Sequence, residues 1–480
     1  LLASADMAIE CDLAVLGAGP GGYPAAIRAR QLGASVVCVE QGPVGGTCLN
    51  VGCIPTKAMV QSAHGYHEAR ERLAPLGIKV DNVTLDFPQV QLNRQGIVDG
   101  VVKGLGGLMK GVGIQVVKGR GRFTGPNTLQ VEGGEEVRFK SAVIATGSRP
   151  SEPPIPGLDD AHCLVSSELL EIDHVPERLV VLGGGVIGCE FASIFSHFGS
   201  QVTIVEMLPN LIGKEDADAV AALQRAFKRR GIEVALGARA TRVERQEDGL
   251  RLVYADANDQ EHVVGADRIL VATGRVANVE DIGLEAAGVT AERRRIPVDS
   301  SMRTNVAHIF ATGDVAGNWQ LAHTAFREGE VAAENALGHD VEVDYRSTPR
   351  CTYTDPEVAA VGLTEAEARE LHGDAVQVGT MPYAAIARAA MYGDRTGFAK
   401  VISESKYGEL LGMVVVGTQA TELINAGVVG IQGEATVETI GDSIAAHPTL
   451  GEAVKEAALV ALGRPIHIPA PRQRTPAPSA

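Results

Sequence analysis

The chain has 480 residues, of which 45% are hydrophobic and 56 are glycine, a composition typical of an α/β protein with several domains and many tight turns. The formal net charge of −16 argues against a nucleic-acid-binding surface, which needs a basic field, but leaves room for small anions held by backbone amides. No apolar run approaches the roughly 18 residues that a membrane helix needs. Seven cysteines spread thinly over the chain are not the disulfide framework of a secreted protein, so we expect a cytoplasmic protein with reduced thiols.

The first glycine-rich loop follows a short apolar strand at residues 12–17. Gly17, Gly19 and Gly22 match the pattern Gly-x-Gly-x-x-Gly, a helical stretch follows, and the next apolar run ends at Glu40. Such glycines let the backbone approach a pyrophosphate at a helix N-terminus, and the acidic residue can accept hydrogen bonds from a ribose diol. One loop of this kind is weak evidence by itself.

The same pattern returns at Gly183, Gly185 and Gly188, and the following strand ends at Glu206 with the same spacing as in the first loop. Two coincidental glycine turns would not explain both acidic residues, so we predict two dinucleotide-binding folds. A carboxylate at Glu206 would repel a 2′-phosphate and the next residues offer no arginine, which favours NAD over NADP.

Each of the two units closes with an apolar strand and Ala-Thr-Gly, at residues 145–147 and 272–274. A proline-rich stretch at 149–157 is typical of a stiff linker between domains. Further on, an apolar strand ends in Gly313-Asp314, and by itself this pair is most simply a turn.

From about Pro349 the pattern changes to strands at 376–378, 397–402 and 410–417, followed by helical runs at 420–432 and 436–446. This part has no glycine fingerprint. It predicts a mixed sheet-and-helix domain that completes the substrate site or mediates dimerisation.

Cys48 and Cys53 follow closely on the first loop, and three interpretations are open. A zinc site would need two more ligands at suitable spacing, and none is obvious. Inert core cysteines do not fit the Thr, Asn and Gly neighbours, whereas a redox disulfide fits the nearby nucleotide loops. A disulfide needs Cα atoms about 4.4–6.8 Å apart, so the segment must leave the regular helix, and Asn50 and Gly52 suit an irregular turn.

A histidine precedes the final predicted helix in the stretch His447-Pro448-Thr449-Leu450-Gly451-Glu452. Thr449 and Glu452 have the spacing of a capping box. The rival interpretation is a catalytic base, His447, whose tautomer is fixed by the Glu452 carboxylate.

Taken in order, these stretches resemble the disulfide-reductase flavoproteins, that is, the class I pyridine nucleotide-disulfide oxidoreductases. Between and after the two fingerprints stand Gly-Gly-Thr-Cys-x4-Cys-Ile-Pro-x-Lys, Thr-x5-Phe-Ala-x-Gly-Asp and His-Pro-Thr-x2-Glu. Within the family the chain is most similar to the dihydrolipoamide dehydrogenase group. The resemblance covers about residues 8–468.

The resemblance implies an α/β fold with two Rossmann-like domains and a C-terminal α+β dimerisation domain. The expected domains are an FAD-binding domain at 7–150 with a second segment at 280–348, an NAD-binding domain at 151–279, and an interface domain at 349–468. Residues 469–480 are expected to form a disordered tail.

The resemblance also implies that the first unit binds FAD and the second binds NAD. Asp314 would hold the ribityl chain of FAD, which replaces the turn interpretation. The implied FAD contacts are Gly17, Gly19, Gly22, Glu40, Thr47, Lys57, Gly121, Thr146, Gly147, Asp314, Leu321, Ala322 and His323. The implied NAD contacts are Gly183, Gly185, Gly188, Glu206 and Gly274. No metal is expected.

For the chemistry, the resemblance implies that Cys48 exchanges with the substrate and that Cys53 lies against the flavin. Lys57 would lie beside the flavin and pair with Glu190.

The resemblance makes His447 the base and Glu452 the group that holds it. In the family this histidine comes from the partner subunit, so the active site is expected only in a homodimer.

The implied activity is the reoxidation of protein-bound dihydrolipoamide with NAD⁺, in a 2-oxoacid, acetoin or glycine-cleavage multienzyme complex. The expected partner is a lipoyl domain of an acyltransferase or another lipoyl carrier, with neither nucleic acid nor membrane. Two alternatives stay open, an NADH-dependent reductase of another small disulfide and, from a different class, a docking subunit or flavin-bound redox sensor.

Overall fold

The first region of the chain is a mixed sheet with helices packed against it. The computed structural model describes residues 8–247 and 249–469, and the tail predicted at 469–480 lies, apart from Pro469, outside this range. The strands of the first region are β1 (Ile9–Leu16), β2 (Val36–Glu40), β3 (Gln115–Lys118), β4 (Gly121–Gly125), β5 (Thr128–Val131), β6 (Glu136–Ile144) and β7 (Ser148–Pro150). Its helices are α1 (Gly22–Gln31), α2 (Gly46–Val51), α3 (Cys53–His67) and α4 (Phe87–Gly111).

The strand order of the first sheet is β3-β2-β1-β6-β5-β4. β5 pairs antiparallel with β4 and β6, and the other pairs in this order are parallel. β1 lies between β2 and β6 and is parallel to both, with Leu13 opposite Val36 on one side and Ser141 on the other. Its residues 13–16 are buried, because both faces of the sheet are covered, and this explains their unbroken apolar run.

The second region repeats this plan. Its strands are β8 (Leu164–Val165), β9 (Arg178–Leu182), β10 (Gln201–Glu206), β11 (Glu233–Leu236), β12 (Arg239–Gln246), β13 (Gly249–Ala255), β14 (Glu261–Ala266), β15 (Arg268–Val271) and β16 (Arg275–Ala277). Its helices are α5 (Ser166–Leu169), α6 (Val186–Phe198) and α7 (Ala217–Arg229). The parallel order β11-β10-β9-β15-β8 carries an antiparallel β12-β13-β14 sheet beside it.

A short ribbon connects the two regions, because β7 pairs antiparallel with β16. The chain then continues through α8 (Leu284–Ala287), β17 (Ile309–Ala311) and α9 (Ala322–Ala336). β17 pairs in parallel with β6, with Phe310 opposite Val143. The chain therefore returns to the first sheet after the second region, although the domain boundaries given above stay predictions.

The last region is a five-stranded antiparallel sheet with helices packed on it. Its strands are β18 (Arg350–Thr352), β19 (Val358–Gly362), β20 (Val376–Pro382), β21 (Phe398–Glu404) and β22 (Leu410–Val416), in the order β18-β19-β22-β21-β20. Its helices are α10 (Glu365–His372), α11 (Ala387–Met391), α12 (Ala420–Leu423), α13 (Asn425–Gln432), α14 (Val437–Gly441) and α15 (Gly451–Ala461).

The helix predicted at 436–446 is shorter than expected, since it ends at Gly441. Gly441 packs closely against the C-terminal part of α15. A Cβ added to Gly441 would lie 3.3 Å from the Leu459 side chain and 3.2 Å from that of Leu462. Residues 442–446 instead turn back towards α15, which brings His447 close to the first turn of that helix.

One hydrophobic cluster joins the three regions. It contains Met59 from α3, Phe195 from α6, and Val358 and Val414 from the antiparallel sheet, all essentially buried. This shared core fixes α3 and α6 side by side, and these helices carry several of the predicted catalytic residues. Within residues 8–247 and 249–469, none of the helices has both the length and the apolar character required to cross a membrane.

Candidate active site

The two glycine loops have the same geometry. Gly17 has φ +103°, and a Cβ there would lie 2.4 Å from the carbonyl oxygen of Ala145. Gly183 has φ +112°, and a Cβ there would lie 2.4 Å from the carbonyl oxygen of Ala272. Only glycine fits either position, since the chain turns in a left-handed conformation directly above the strand that ends in Ala-Thr-Gly.

The third glycine of each loop packs against the first. A Cβ on Gly22 would lie 1.8 Å from the carbonyl oxygen of Gly17, and one on Gly188 would lie 1.9 Å from that of Gly183. Gly22, Gly183 and Gly188 therefore shape the loops from behind and do not line the cavity described below, as far as the described residues go.

The middle glycine of each loop faces open space, in contrast to the first and third. Within the described chain no atom comes within 4 Å of a Cβ placed on Gly185, and the nearest to Gly19 is at 3.7 Å. Space in front of a helix N-terminus, which an added Cβ would occupy, is what a pyrophosphate needs to approach the backbone. Both loops therefore fit a dinucleotide.

The acidic residue after each loop is held by backbone amides. Glu40 accepts hydrogen bonds from the amides of Ala18, at 2.7 Å, and Gly42, at 2.8 Å. Glu206 accepts hydrogen bonds from the amides of Gly184, at 2.5 Å, and Leu208, at 2.6 Å, which are the equivalent positions in the second unit. Glu40 lines the cavity, whereas Glu206 is 9% exposed and lies just behind it.

A single cavity of about 1530 Å³ runs along both loops. It exceeds the roughly 300–1,000 Å³ of a pocket for one drug-sized ligand, so it has room for more than one cofactor. The predicted site residues that line it are Gly17, Gly19, Glu40, Thr47, Cys48, Cys53, Lys57, Gly121, Thr146, Gly147, Gly185, Glu190, Gly274, Asp314, Leu321, Ala322 and His323.

The two cysteines lie on either side of a helix break. Cys48 is in α2, Gly52 has φ −136° and ψ −109°, and α3 begins at Cys53. The Asn50 side chain donates to the carbonyl oxygens of Val44, at 3.1 Å, and Gly46, at 2.9 Å, and so fixes the end of α2. The irregular turn predicted from Asn50 and Gly52 is present.

The two thiols are chemically different. The side-chain hydrogen bond between Cys48 and Cys53 raises the pKa of Cys48 and lowers that of Cys53. Burial opposes the lowering at Cys53, and the positive charge of Lys57 assists it. Cys53 also stands at the N-terminus of α3, where the helix dipole favours a thiolate.

Lys57 and Glu190 form an ion pair between α3 and α6, in which the carboxylate is buried and the lysine is partly exposed. The Lys57 Nζ atom lies 2.8 and 2.7 Å from the two carboxylate oxygens of Glu190, which also accepts the backbone amide of Tyr353 at 3.0 Å. The Lys57 ammonium group lies 4.5 Å from the centre of the Tyr353 ring. These contacts satisfy the buried carboxylate and fix the position of the Lys57 ammonium group.

Asp314 belongs to a polar network that the sequence did not predict. The Ser148 hydroxyl donates a short hydrogen bond to the Asp314 carboxylate and accepts one from Arg275 Nε at 2.7 Å. Ser148 and Arg275 directly follow the two Ala-Thr-Gly segments, so their equivalent positions in the repeat were the available signal. Tyr353 had no comparable sequence signal.

His447 and Glu452 form the predicted pair, with the Nδ1 atom 2.8 Å from Oε1 of the carboxylate. The second oxygen of Glu452 accepts the Thr449 amide at 2.9 Å. The Thr449 hydroxyl instead donates to the carbonyl oxygen of Ala446 at 2.7 Å, so only half of a capping box forms. Burial acts to raise the pKa of Glu452, but the bonds from His447 and Thr449 outweigh it and lower the pKa.

The His447 pair does not reach the thiols within one chain. The His447 side chain is 72% exposed, and neither it nor Glu452 is among the described residues that line the cavity. The structure therefore brings together the thiol pair, Lys57, Glu190 and both nucleotide loops, and leaves the predicted base on an outer surface.

The chain matches two family models in succession. The model for the pyridine nucleotide-disulphide oxidoreductases matches residues 11–329, and the model for their dimerisation domain matches residues 348–458.

Among curated proteins, the chain is similar to dihydrolipoyl dehydrogenases from three bacteria. It is 42% identical to that of Geobacillus stearothermophilus over 467 residues, which cover 96% of this chain and 98% of the relative. It is 41% identical to that of Staphylococcus aureus, with 96% and 99% covered, and 40% identical to one from Bacillus subtilis, with 95% and 99% covered.

The chain is also similar to solved structures. LpdA from Mycobacterium tuberculosis superimposes with a TM-score of 0.86 at 29% identity, covering 94% of this chain and 99% of that one. The HOCl-induced flavoprotein disulfide reductase RclA from Escherichia coli superimposes with a TM-score of 0.83 at 28% identity, covering 93% and 99%.

Proposed function

The chain belongs to the pyridine nucleotide-disulphide oxidoreductase family, and from this premise we propose that it oxidises protein-bound dihydrolipoamide to lipoamide with NAD⁺ as the acceptor. It is an oxidoreductase that uses FAD and NAD. The observation that carries the proposal is that one cavity is lined by the thiols Cys48 and Cys53 and by both nucleotide loops. A dithiol next to two dinucleotide sites is suited to passing two electrons from a substrate dithiol to a nicotinamide.

In this proposal the first loop, Glu40, Asp314 and His323 hold FAD, and the second loop and Glu206 hold NAD. When bound, FAD supplies the transfer of two electrons from the enzyme dithiol to NAD⁺. The chain contributes position and charge, because its fixed amides, Glu40 and Asp314 orient the cofactor. The open middle glycines and the size of the cavity support this assignment.

The exchange step takes place at Cys48. In the oxidised enzyme Cys48 and Cys53 form a disulfide, and a substrate thiolate attacks the Cys48 sulfur while Cys53 leaves as a thiolate. The second substrate sulfur then attacks the mixed disulfide and closes the lipoamide ring, and Cys48 leaves as a thiol. Two substrate thiols become a disulfide while the enzyme disulfide becomes the Cys48 thiol and the Cys53 thiolate, and the second proton released stays on the base. The lowered pKa of Cys53 makes it the better leaving group.

His447 is the proposed base of this step. It accepts the proton of the first attacking thiol at Nε2, donates it to Cys48 as that sulfur leaves, and takes up the proton of the second substrate thiol. Glu452 holds Nδ1 at 2.8 Å, which fixes the tautomer and stabilises the protonated ring.

The match to a dimerisation domain at residues 348–458 indicates a homodimer. We assign the His447 of each subunit to the thiol pair of the other. The exposure of His447 supports this assignment, as does the fact that it is not among the described residues that line the cavity of its own chain.

The partner in this proposal is a lipoyl group carried on another protein. The proposed location is the cytoplasm, which the use of cysteine supports, since all seven cysteines, each within the described residues, are free thiols. The substrate is supported by the dihydrolipoyl dehydrogenases that the chain resembles.

The test is steady-state kinetics of the FAD-loaded protein with NAD⁺ and a panel of free and protein-bound dithiols. We expect the highest kcat/KM with a lipoylated domain, lower values with free dihydrolipoamide, and none above background in Cys48→Ser. Cys163→Ser, which changes a thiol outside the cavity lining, is the matched control. A higher kcat/KM for the reduction of an unrelated disulfide with NADH would replace this proposal with the alternative given above.

A further inference from the structure

A cluster of three histidines and one aspartate lies at the C-terminal end of α3. None of its residues belongs to the active site described above. The histidine cluster consists of His64 and His67 on α3, His197 on α6, and Asp355 in the turn between β18 and β19. The His67 and His197 rings lie 4.3 Å apart between centroids, and those of His64 and His197 lie 5.5 Å apart. The cluster thus draws one side chain or more from each of the three regions of the chain.

Three of these side chains converge. One ring nitrogen from His67, one from His197 and one carboxylate oxygen of Asp355 all lie within 4.8 Å of one another. Two imidazoles and a carboxylate are a donor set that suits Zn²⁺ and related divalent ions. We propose that His67, His197 and Asp355 form a binding site for a divalent transition metal of the zinc type.

The distances allow such an ion. Three atoms up to 4.8 Å apart lie at most about 2.8 Å from their common centre, and zinc bonds to nitrogen at about 2.0–2.1 Å. Movements below about 1 Å per side chain close the site. His67 is half-buried and is the last residue of α3.

An unsatisfied histidine is the second observation. The His197 side chain is 1% exposed, and among the described residues neither of its ring nitrogens has a hydrogen-bond partner. Its Nε2 atom lies 3.4 Å from Asp355 Oδ2 without the geometry of a hydrogen bond. Both ring nitrogens of this buried histidine therefore lack a hydrogen-bond partner in the described part of the chain. A metal bound directly to a ring nitrogen would satisfy it.

The neighbouring charges are nearly balanced without the ion. Arg230 and Arg72 contact Asp355 Oδ2 at 2.7 and 3.1 Å, Arg72 also lies 3.5 Å from Asp394, and Glu71 lies 3.6 Å from His67. Three carboxylates against two guanidinium groups leave one net negative charge, which a divalent ion would reverse to one positive.

Asp355 can serve the arginines and an ion together. Among the described residues its Oδ1 atom has a single long contact, 3.4 Å from Arg72, so it has lone pairs for a metal while Oδ2 keeps Arg230. Arg72 is 31% exposed and has Asp394 as an alternative partner, so it can withdraw from the site.

The site also has a position relative to the thiol chemistry. His67 follows Lys57 by ten residues along α3, about three turns, and His197 follows Glu190 by seven along α6, about two turns. An ion held by both helices would clamp the pair that carries Lys57 and Glu190. The role inferred for the metal is therefore structural, joining the three regions near the active site.

The experiment uses FAD-loaded protein with Cys48→Ser and Cys53→Ser, because the thiol pair is itself a potential ligand for zinc. After treatment with a chelator, Zn²⁺ binding is measured by equilibrium dialysis, and Co²⁺ is used as a spectroscopic substitute. We expect one equivalent per chain with the absorption of a low-coordinate Co²⁺ site. We also expect His67→Gln and His197→Gln each to weaken binding at least about tenfold.

The matched control is His174→Gln, since His174 pairs with Asp173 at 2.5 Å on the surface and no third ligand from the described residues completes a group there. Its affinity should equal that of the parent, and all variants share the His447–Glu452 pair. Zn²⁺ should raise the melting temperature of the parent and of His174→Gln but not that of His67→Gln. No bound zinc in the parent, or the same affinity in the parent and both cluster variants, overturns the proposal and leaves the cluster as an ion-pair network.

Discussion

Two cysteines that look equivalent in the sequence are given different properties by their positions. Cys53 begins α3 and faces the positive charge of Lys57, and Cys48 keeps its proton by donating to Cys53. The residue types and their spacing predicted a redox pair. They did not predict which thiol would hold the negative charge, because this depends on where the second helix begins, and only the resemblance to a family assigned the two roles.

The pKa of Cys53 leads to a pH-dependence. Because its pKa is lowered, Cys53 is a thiolate at pH values where a free thiol is still protonated, and the thiolate is lost as the pH falls through the lowered pKa. The long-wavelength absorbance of the FAD-loaded protein reduced by two electrons, which reports a thiolate beside the flavin, should therefore have its midpoint below the pKa of about 8.5 of a free thiol. In Cys48→Ala the hydrogen bond is gone, so the midpoint should move to higher pH. Cys163→Ala should titrate like the wild type, and a midpoint unaffected by Cys48→Ala would contradict the hydrogen-bond explanation.

Glu452 has two partners, and substitutions can separate them. Glu452→Gln keeps an acceptor for the Thr449 amide but loses the charge that stabilises protonated His447. We expect kcat/KM to fall by about 10²–10⁴, the range associated with general acid–base catalysis, and His447→Gln to fall similarly. Thr449→Val removes the bond to Ala446 and should keep nearly full activity. Equal losses in Thr449→Val and Glu452→Gln would mean that helix capping is the main role of this segment.

Among the elements, the break between α2 and α3 does most to shape the site. Gly52 packs so closely that a Cβ would lie 2.9 Å from the carbonyl oxygen of Thr47. The sequence predicted this interruption from Asn50 and Gly52. It failed at α14, where helical propensity extended the prediction to residue 446, because tertiary packing of Gly441 on α15 ends the helix earlier.

Gly52→Ala should test the break directly. The added methyl group meets backbone atoms, so α2 and α3 must move apart, with a loss of about 1–3 kcal/mol in the free energy of unfolding. Reoxidation of the thiol pair should slow as well. Gly65→Ala is the matched control in the same helix, since no described atom lies within 4 Å of its Cβ, and it should stabilise the protein by about 0.5–1 kcal/mol. Urea unfolding measures both variants, and equal stabilities would contradict the packing argument.

For the molecule as a whole, the two nucleotide units could be predicted because each is a local repeat of strand, glycine loop and helix. The return of β17 to the first sheet could not be derived from periodicity, since β6 and β17 are separated by the whole second unit. The network of Ser148, Arg275 and Asp314 was missed for the same reason. Pairing between strands that are far apart in the sequence depends on the fold of the whole chain, so local sequence patterns do not predict it.

The separation of His447 from the thiols gives a prediction about assembly. Cys48→Ser and His447→Ala homodimers should both be nearly inactive. In a hybrid dimer of the two chains, one site has an intact thiol pair from one subunit and an intact histidine from the other. Coexpressed chains with different tags, purified for both tags, should therefore recover about half of the wild-type activity per dimer. An inactive hybrid would place both groups of one site on a single chain.

Because β7 pairs with β16, the second nucleotide unit is an insertion that begins and ends at the same place in the fold. The chain enters the unit after Pro150 and leaves it at Arg275, and these two residues are opposite each other in the ribbon. An insertion whose ends are neighbours can be exchanged without changing the span that the host must bridge. Chimaeras that replace residues 151–274 with the unit of an NADP-dependent relative would thus transplant coenzyme preference while the thiol chemistry stays with the host.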